Sequence, residues 1–194
     1  MENNTQLKEM IRSMVIDLLQ GQKQEMASSQ PIKQAPRGQV EPGVFDTVDE
    51  AIQAAKAAQA RFEDCTLATR EKVIADIRAA MRPRVQELAQ KTVDETGMGR
   101  VADKVLKLNL TLNKTPGVED LVTECETGDN GMTLYELSAY GVIGAITPST
   151  NPAETLICNS IGMLAAGNAI FFSVHPGAKN LSRELVSELN QVIA

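Results

Sequence analysis

The sequence predicts an α/β fold. A helical first half leads through a β-hairpin into a β-α-β-α unit, half of a doubly wound parallel sheet. Three observations predict it. Two short unbroken apolar runs, Val-Ile-Gly-Ala-Ile-Thr at 142–147 and Ala-Ile-Phe-Phe-Ser-Val at 169–174, flank a helical stretch at 153–166. Runs of that length, bounded by Gly and Pro, suit strands buried on both faces. Upstream, from about 44 to 115, apolar residues recur at helical spacing. Between these regions the pattern turns β-like on either side of Gly128-Asp-Asn-Gly131, as in a hairpin.

In chain order, Leu7, Met10, Ile11, Met14, Val15, Leu18 and Leu19 fall on one helical face, so residues 1–20 read as an amphipathic helix that Gly21 ends. Residues 21–43, rich in Gln, Ser, Pro and Gly, read as a flexible linker. A helix with one apolar face and a tether behind it must dock elsewhere: on its own body, on a sister subunit or on a separate partner. Lys8 and Arg12 are balanced by Glu9 and Asp17, so the helix has no basic face for a membrane surface.

The body spans residues 44–194. Thr47-Val-Asp-Glu50 is a capping box for an alanine-rich helix through Arg61. A second helical stretch covers 69–95, restarted or kinked at Pro83 and closed by Gly97. Val101, Val105, Leu108 and Leu112 mark a further helix that stops before Thr115-Pro-Gly117. The hairpin, at about 121–140, has strands at 121–127 and 132–140. After the two apolar strands and their intervening helix, His175-Pro-Gly177 leads into a last amphipathic helix at 179–193. A third parallel strand would come next, so the sheet is incomplete as given.

Composition narrows the function. With 194 residues, 43% hydrophobic and 23% charged, the chain is globular rather than disordered. Nineteen Lys and Arg against 25 Asp and Glu give a net charge of -6, the wrong sign for gripping nucleic acid. Cys65, Cys125 and Cys158 form no C-x-x-C pair, and His175 is the only histidine, so no metal site is expected. Reduced thiols, no membrane-length apolar run and no signal peptide predict a cytoplasmic protein.

Ligands of parallel sheets bind at the carboxyl ends of the strands, which here are Thr147-Pro-Ser-Thr-Asn-Pro152 and Ser173-Val-His-Pro-Gly177. The first loop precedes a helix N-terminus, where free N–H groups and hydroxyls can bind an anion or a carbonyl oxygen. The same residues also serve as ordinary helix caps. His175 can contact a cofactor or simply cap the second loop. Neither G-x-G-x-x-G nor a P-loop is present. Each cysteine reads as structural or incidental, Cys158 lying among apolar neighbours in its helix.

Seven motifs go further: Glu95-Thr-Gly-Met-Gly99, Asn113-Lys-Thr-Pro-Gly-Val-Glu119, Thr127-Gly-Asp-Asn-Gly131, Tyr140-Gly-Val-Ile-Gly144, Thr147-Pro-Ser-Thr-Asn-Pro152, Leu164-Ala-Ala-Gly-Asn168 and Phe172-Ser-Val-His-Pro-Gly-Ala-Lys179. In this order they resemble the N-terminal part of CoA-acylating aldehyde dehydrogenases, especially the propionaldehyde and acetaldehyde enzymes of bacterial microcompartments. The resemblance covers about residues 44–194. It implies an aldehyde-dehydrogenase-like fold whose strands open a Rossmann-type NAD domain. The implied reaction takes a short-chain aldehyde, CoA and NAD to acyl-CoA and NADH through a cysteine thiolate.

Carried over by position, the resemblance implies that Thr147, Pro148 and Ser149 line the nicotinamide side. Thr150 falls at the oxyanion-side position that broader relatives give to asparagine, a task that a hydroxyl, a backbone N–H or Asn151 would then perform. Ser173, His175, Pro176 and Gly177 fall where the family holds the adenosine part of the cofactor, with Ser173 in place of the lysine of non-acylating relatives. The N-terminal helix resembles encapsulation peptides, which implies that Leu7, Met10, Ile11, Met14, Val15, Leu18 and Leu19 bind a shell protein or a co-encapsulated enzyme in the microcompartment lumen. The hairpin would begin the family's oligomerisation extension, which implies a homo-oligomer. The family's nucleophilic cysteine and catalytic domain have no counterpart in the 194 residues, so the chain alone is expected to be inactive. The alternative is a non-catalytic interaction protein that works through its N-terminal helix.

Overall fold

The computed structural model describes residues 41–194, so the expected N-terminal helix and most of the expected linker lie outside the described residues. Residues 41–43, expected to close the linker, pack on the body. Glu41 pairs with Arg183 at 2.7 Å, and the Val44 N–H closes a turn on the Glu41 carbonyl.

Four helices come first: α1 (Val48–Phe62), α2 (Leu67–Met81), α3 (Val85–Thr96) and α4 (Val101–Lys114). The capping box forms as expected, with Thr47 Oγ1 accepting from the Glu50 N–H and Glu50 accepting from the Thr47 N–H. Pro83 sits in a 3₁₀ turn, Arg82–Arg84, that separates α2 from α3. It lies where a helix tolerates a missing N–H, so the chain restarts rather than breaks. Gly97 ends α3 in the left-handed region, with φ of 66°, a conformation that costs other residues about 1 kcal/mol.

The hairpin is shorter than expected, with β1 at Glu124–Gly128 and β2 at Gly131–Tyr135. Pairing starts at Glu124↔Tyr135 and ends at Gly128↔Gly131, and residues 121–123 and 136–140 form no strand. Every residue of both strands is exposed. With no second layer to pack against, nothing rewards further pairing.

The β-α-β-α unit comprises β3 (Val142–Thr147), α5 (Pro152–Ala165), β4 (Ala169–Val174) and α6 (Lys179–Ile193). β3 and β4 pair in parallel from Val142↔Ala169 to Thr147↔Val174. Alternation along β4 turns Ile170 and Phe172 toward the main core, where Ile74, Ile77, Met81, Leu108, Leu112, Leu156, Ile157, Ile161 and Leu185 are buried between α2, α4, α5 and α6. α1 packs on β4 and touches β3 less.

The strands are not buried on both faces, contrary to expectation. On the second face, α1 covers mainly the β4 side. Gly144 is overlain by the Phe171 ring, and Ile146 is left 87% exposed. Among the described residues neither strand has a second neighbour, and a groove of about 1000 Å³ follows β4 between α1 and α6. Cys158 also departs from expectation. It is exposed on the outer face of α5, while Leu156 and Ile157 point inward. Among the described residues no helix is long and apolar enough to cross a membrane.

Candidate functional site

Both candidate loops leave the carboxyl ends of paired, parallel strands, so Thr147 and Val174 stand in register at one edge of the sheet. The loops adjoin: a side chain on Gly177 would reach to within 3.9 Å of Ser149 Cβ and 3.2 Å of His175 Nδ1.

In the first loop, Thr147 is 2% exposed, and its Oγ1 has no hydrogen-bond partner. A buried hydroxyl left unpaired costs about 1–3 kcal/mol. Pro148 and Thr150 are exposed, and Ser149 is half-buried, with its hydroxyl 3.9 Å from Met98 Sδ. Asn151 stands at the N-cap of α5, yet its side chain makes no cap. Its Oδ1 instead accepts from Lys104 Nζ at 3.2 Å and Lys107 Nζ at 3.1 Å. Two ammonium donors on Oδ1 fix the amide orientation, so the Nδ2 group is a donor turned away from them. The first N–H groups of α5 have no side-chain partner either, which leaves the positive end of the helix free. The capping role that sequence allows this loop is therefore not taken up by Asn151.

In the second loop, Ser173, His175, Pro176 and Gly177 are all exposed. His175 Nδ1 accepts from the Gly177 N–H at 3.0 Å and caps the 3₁₀ turn Pro176–Ala178. The proton of the neutral ring therefore sits on Nε2, which faces outward as a donor.

Sequence reasoning missed three residues. Lys104 is 3% exposed. Its ammonium donates to the Thr150 carbonyl and to Asn151, and it lies 3.6 Å from Glu154 Oε1 in a buried ion pair. Glu154 otherwise has no hydrogen bond. The signal for Lys104 was a cation on the apolar stripe of α4, between Val101 and Leu108. Glu154, in the first turn of α5, carried no signal beyond that of an ordinary helix-start acid. Glu95, at the end of α3, accepts from the Asn180 and Leu181 N–H groups at 2.8 and 2.7 Å. Its carboxylate thus caps α6 from another element. None of the three cysteines lies in either loop: Cys65 follows α1, Cys125 is in the hairpin and Cys158 is in the second turn of α5.

The pattern of the aldehyde dehydrogenase family matches residues 18–190. A CoA-propanoylating propanal dehydrogenase of Salmonella typhimurium is 45% identical over 190 residues, 98% of this chain but 39% of that protein. An acetylating acetaldehyde dehydrogenase of Escherichia coli is 47% identical, over 79% of this chain and 32% of its own length. The propionaldehyde dehydrogenase from the Clostridium phytofermentans fucose utilisation microcompartment superposes with a TM-score of 0.76 at 49% identity, over 78% of this chain and 35% of that one. The Rhodopseudomonas palustris propionaldehyde dehydrogenase, with bound CoA and an acylated cysteine, gives 0.76 at 48% identity, over 78% of this chain and 35% of that one. The chain thus spans well under half the length of these relatives, and it belongs to the aldehyde dehydrogenase family.

Proposed function

We propose that these 194 residues are the cofactor-holding part of a CoA-acylating aldehyde dehydrogenase, which converts a short-chain aldehyde, CoA and NAD to acyl-CoA and NADH. The observation that carries this reading is the shared edge of β3 and β4. There an unpartnered buried hydroxyl, a free helix N-terminus and an outward-facing second loop stand side by side, in a chain 45% identical to a CoA-propanoylating enzyme. The residues fit a dinucleotide. Thr147, Pro148 and Ser149 line the nicotinamide side, and Ser173, His175, Pro176 and Gly177 line the adenosine side. Without a lysine at 173, the second loop binds the ribose through neutral donors, which suits a pocket that must release NADH before CoA enters. When bound, NAD supplies the hydride acceptor.

The thiolate nucleophile of this reaction is not among Cys65, Cys125 and Cys158, because none lies at the edge where the loops converge. An oxyanion forming beside the first loop would meet the α5 N-terminus, the Thr150 hydroxyl or backbone, and the Asn151 amide. The groove along β4 seats further strand structure that completes the sheet. The bare apolar face of the hairpin, with Met132, Leu134 and Cys125, serves assembly into a homo-oligomer.

We place the enzyme in a microcompartment lumen, with the Leu7–Leu19 face docked on a shell protein or a co-encapsulated enzyme. A similar protein comes from such a compartment, and this supports the reading. The test mixes the chain with NAD+, CoA and propanal. Binding of NAD+ without formation of NADH is expected, and NADH formation by the 194 residues alone would overturn the assignment of the nucleophile. Deleting residues 1–43 from the protein should abolish co-sedimentation with shells; unchanged co-sedimentation would refute the docking role.

A further inference from the structure

The ten residues from Glu95 to Lys104 touch the first loop and the start of α6, the helix that follows the second loop. At one end the Glu95 carboxylate accepts from the Asn180 and Leu181 N–H groups in the first turn of α6, shortly after the second loop. In the middle Met98 meets the Ser149 hydroxyl of the first loop. At the other end buried Lys104 holds the Thr150 carbonyl and the Asn151 side chain, with Glu154 beneath it in α5. The connector is shaped for this. Gly97 and Gly99 both take positive φ, 66° and 82°, and a side chain on Gly99 would lie 3.3 Å from Lys104 Cε. The turn therefore needs glycine both for its backbone and for the passage of the lysine stem.

We propose that the α3–α4 connector is a single clamp that sets the spacing of the two loops for a ligand spanning both, with Lys104 and Glu95 as its positioning residues. The proposal rests on the dinucleotide reading given above for the class of that ligand. The clamp geometry itself does not depend on it. Both ends are charge-assisted. The Lys104 end is almost dry, and such bonds hold their geometry firmly where water cannot compete. Neither residue needs to touch the ligand. Lys104 is spent on the loop carbonyl and the Asn151 amide, and Glu95 on the two helix N–H groups.

The test compares the unaltered chain with Glu95→Gln and with the double variant Lys104→Met/Glu154→Gln. The double variant removes both buried charges together, so that neither is left unpaired. Residue-resolved amide exchange is read first. The clamp predicts at least about tenfold faster exchange at Asn180 and Leu181 in Glu95→Gln, and at Thr155, whose N–H bonds the Asn151 carbonyl, in the double variant, with β4 unchanged. Calorimetry with NAD+ and ADP-ribose is read second. The double variant should lose about tenfold in NAD+ affinity while keeping its ADP-ribose affinity, a split that general destabilisation would not produce. Unchanged exchange at Asn180, Leu181 and Thr155 in both variants overturns the clamp, and so does an equal loss of both ligands. If the unaltered chain binds neither ligand, the dinucleotide reading fails while amide exchange still decides the clamp.

Discussion

Helix α5 and the β1–β2 hairpin are both legible in the sequence, yet they are held in opposite ways. Nine residues of α5 are buried, and Leu156, Ile157 and Ile161 are fully enclosed by α2, α4 and α6. Every strand residue of the hairpin is exposed, and its cross-strand pairs Cys125↔Leu134 and Thr127↔Met132 have no layer beneath them. The candidate site is built on the first kind of structure. Its loops start from strands packed on α5 and are braced by α3, α4 and α6, which is how a binding edge keeps its geometry. The hairpin contributes nothing to that edge and offers an apolar face instead.

The sharpest break of this comparison is a truncation on each side. Leu156→Ala should cost about 2–5 kcal/mol, because it opens a cavity in a fully enclosed position. Leu134→Ala on the hairpin should stay within about 0.5 kcal/mol in the isolated chain. Urea unfolding of both variants measures the contrast, and similar losses would mean that the hairpin is part of the core.

Next in size is the buried ion pair. Lys104→Met should cost about 3 kcal/mol by leaving the Glu154 carboxylate uncompensated, and adding Glu154→Gln should restore part of the loss. A double variant no more stable than the single one would show that the pair is not coupled.

The weld between α3 and α6 responds to acid. Arg84 bonds Glu87, Glu184 and Glu188, and Lys91 bonds Glu87 and Glu184. The Arg84 hydrogen bond, helped by Lys91, lowers the Glu87 carboxyl from 4.5 to about 2, and the bond from Lys91 lowers Glu184. Both carboxylates are thus more acidic when folded, so their contribution is complete above about pH 5 and is lost as pH falls toward 2. The thermal midpoint should drop across that window, and Glu184→Gln should flatten the drop. An equally steep profile in the variant would assign the acid sensitivity elsewhere. Smallest of the four, Thr47→Ala should cost about 1 kcal/mol by removing the α1 cap, as read by urea unfolding.

The elements were legible because their signals are local. Thr47 and Glu50 cap α1, Pro83 restarts the chain and Gly97 stops α3. The exposed face of β3 was not legible. Val-Ile-Gly-Ala-Ile-Thr looks the same whether one helix or two lie across it, and only the fold leaves Ile146 bare. The hairpin ends were missed for a related reason, since residues 136–140 have strand-like composition but no partner strand. At the site, the loops and His175 could be placed by position along the chain. The Lys104, Glu95 and Glu154 contacts join residues 46 to 86 positions apart, a separation that periodicity does not encode.

The most direct test of the central claim, that the β3 and β4 loops hold a nicotinamide dinucleotide, is an amide-resolved NMR titration of the chain with NAD+. The account predicts shifts concentrated in residues 147–151 and 173–177, with residues 124–135 unmoved. Saturating shifts in the hairpin, or none in either loop at millimolar NAD+, would contradict it.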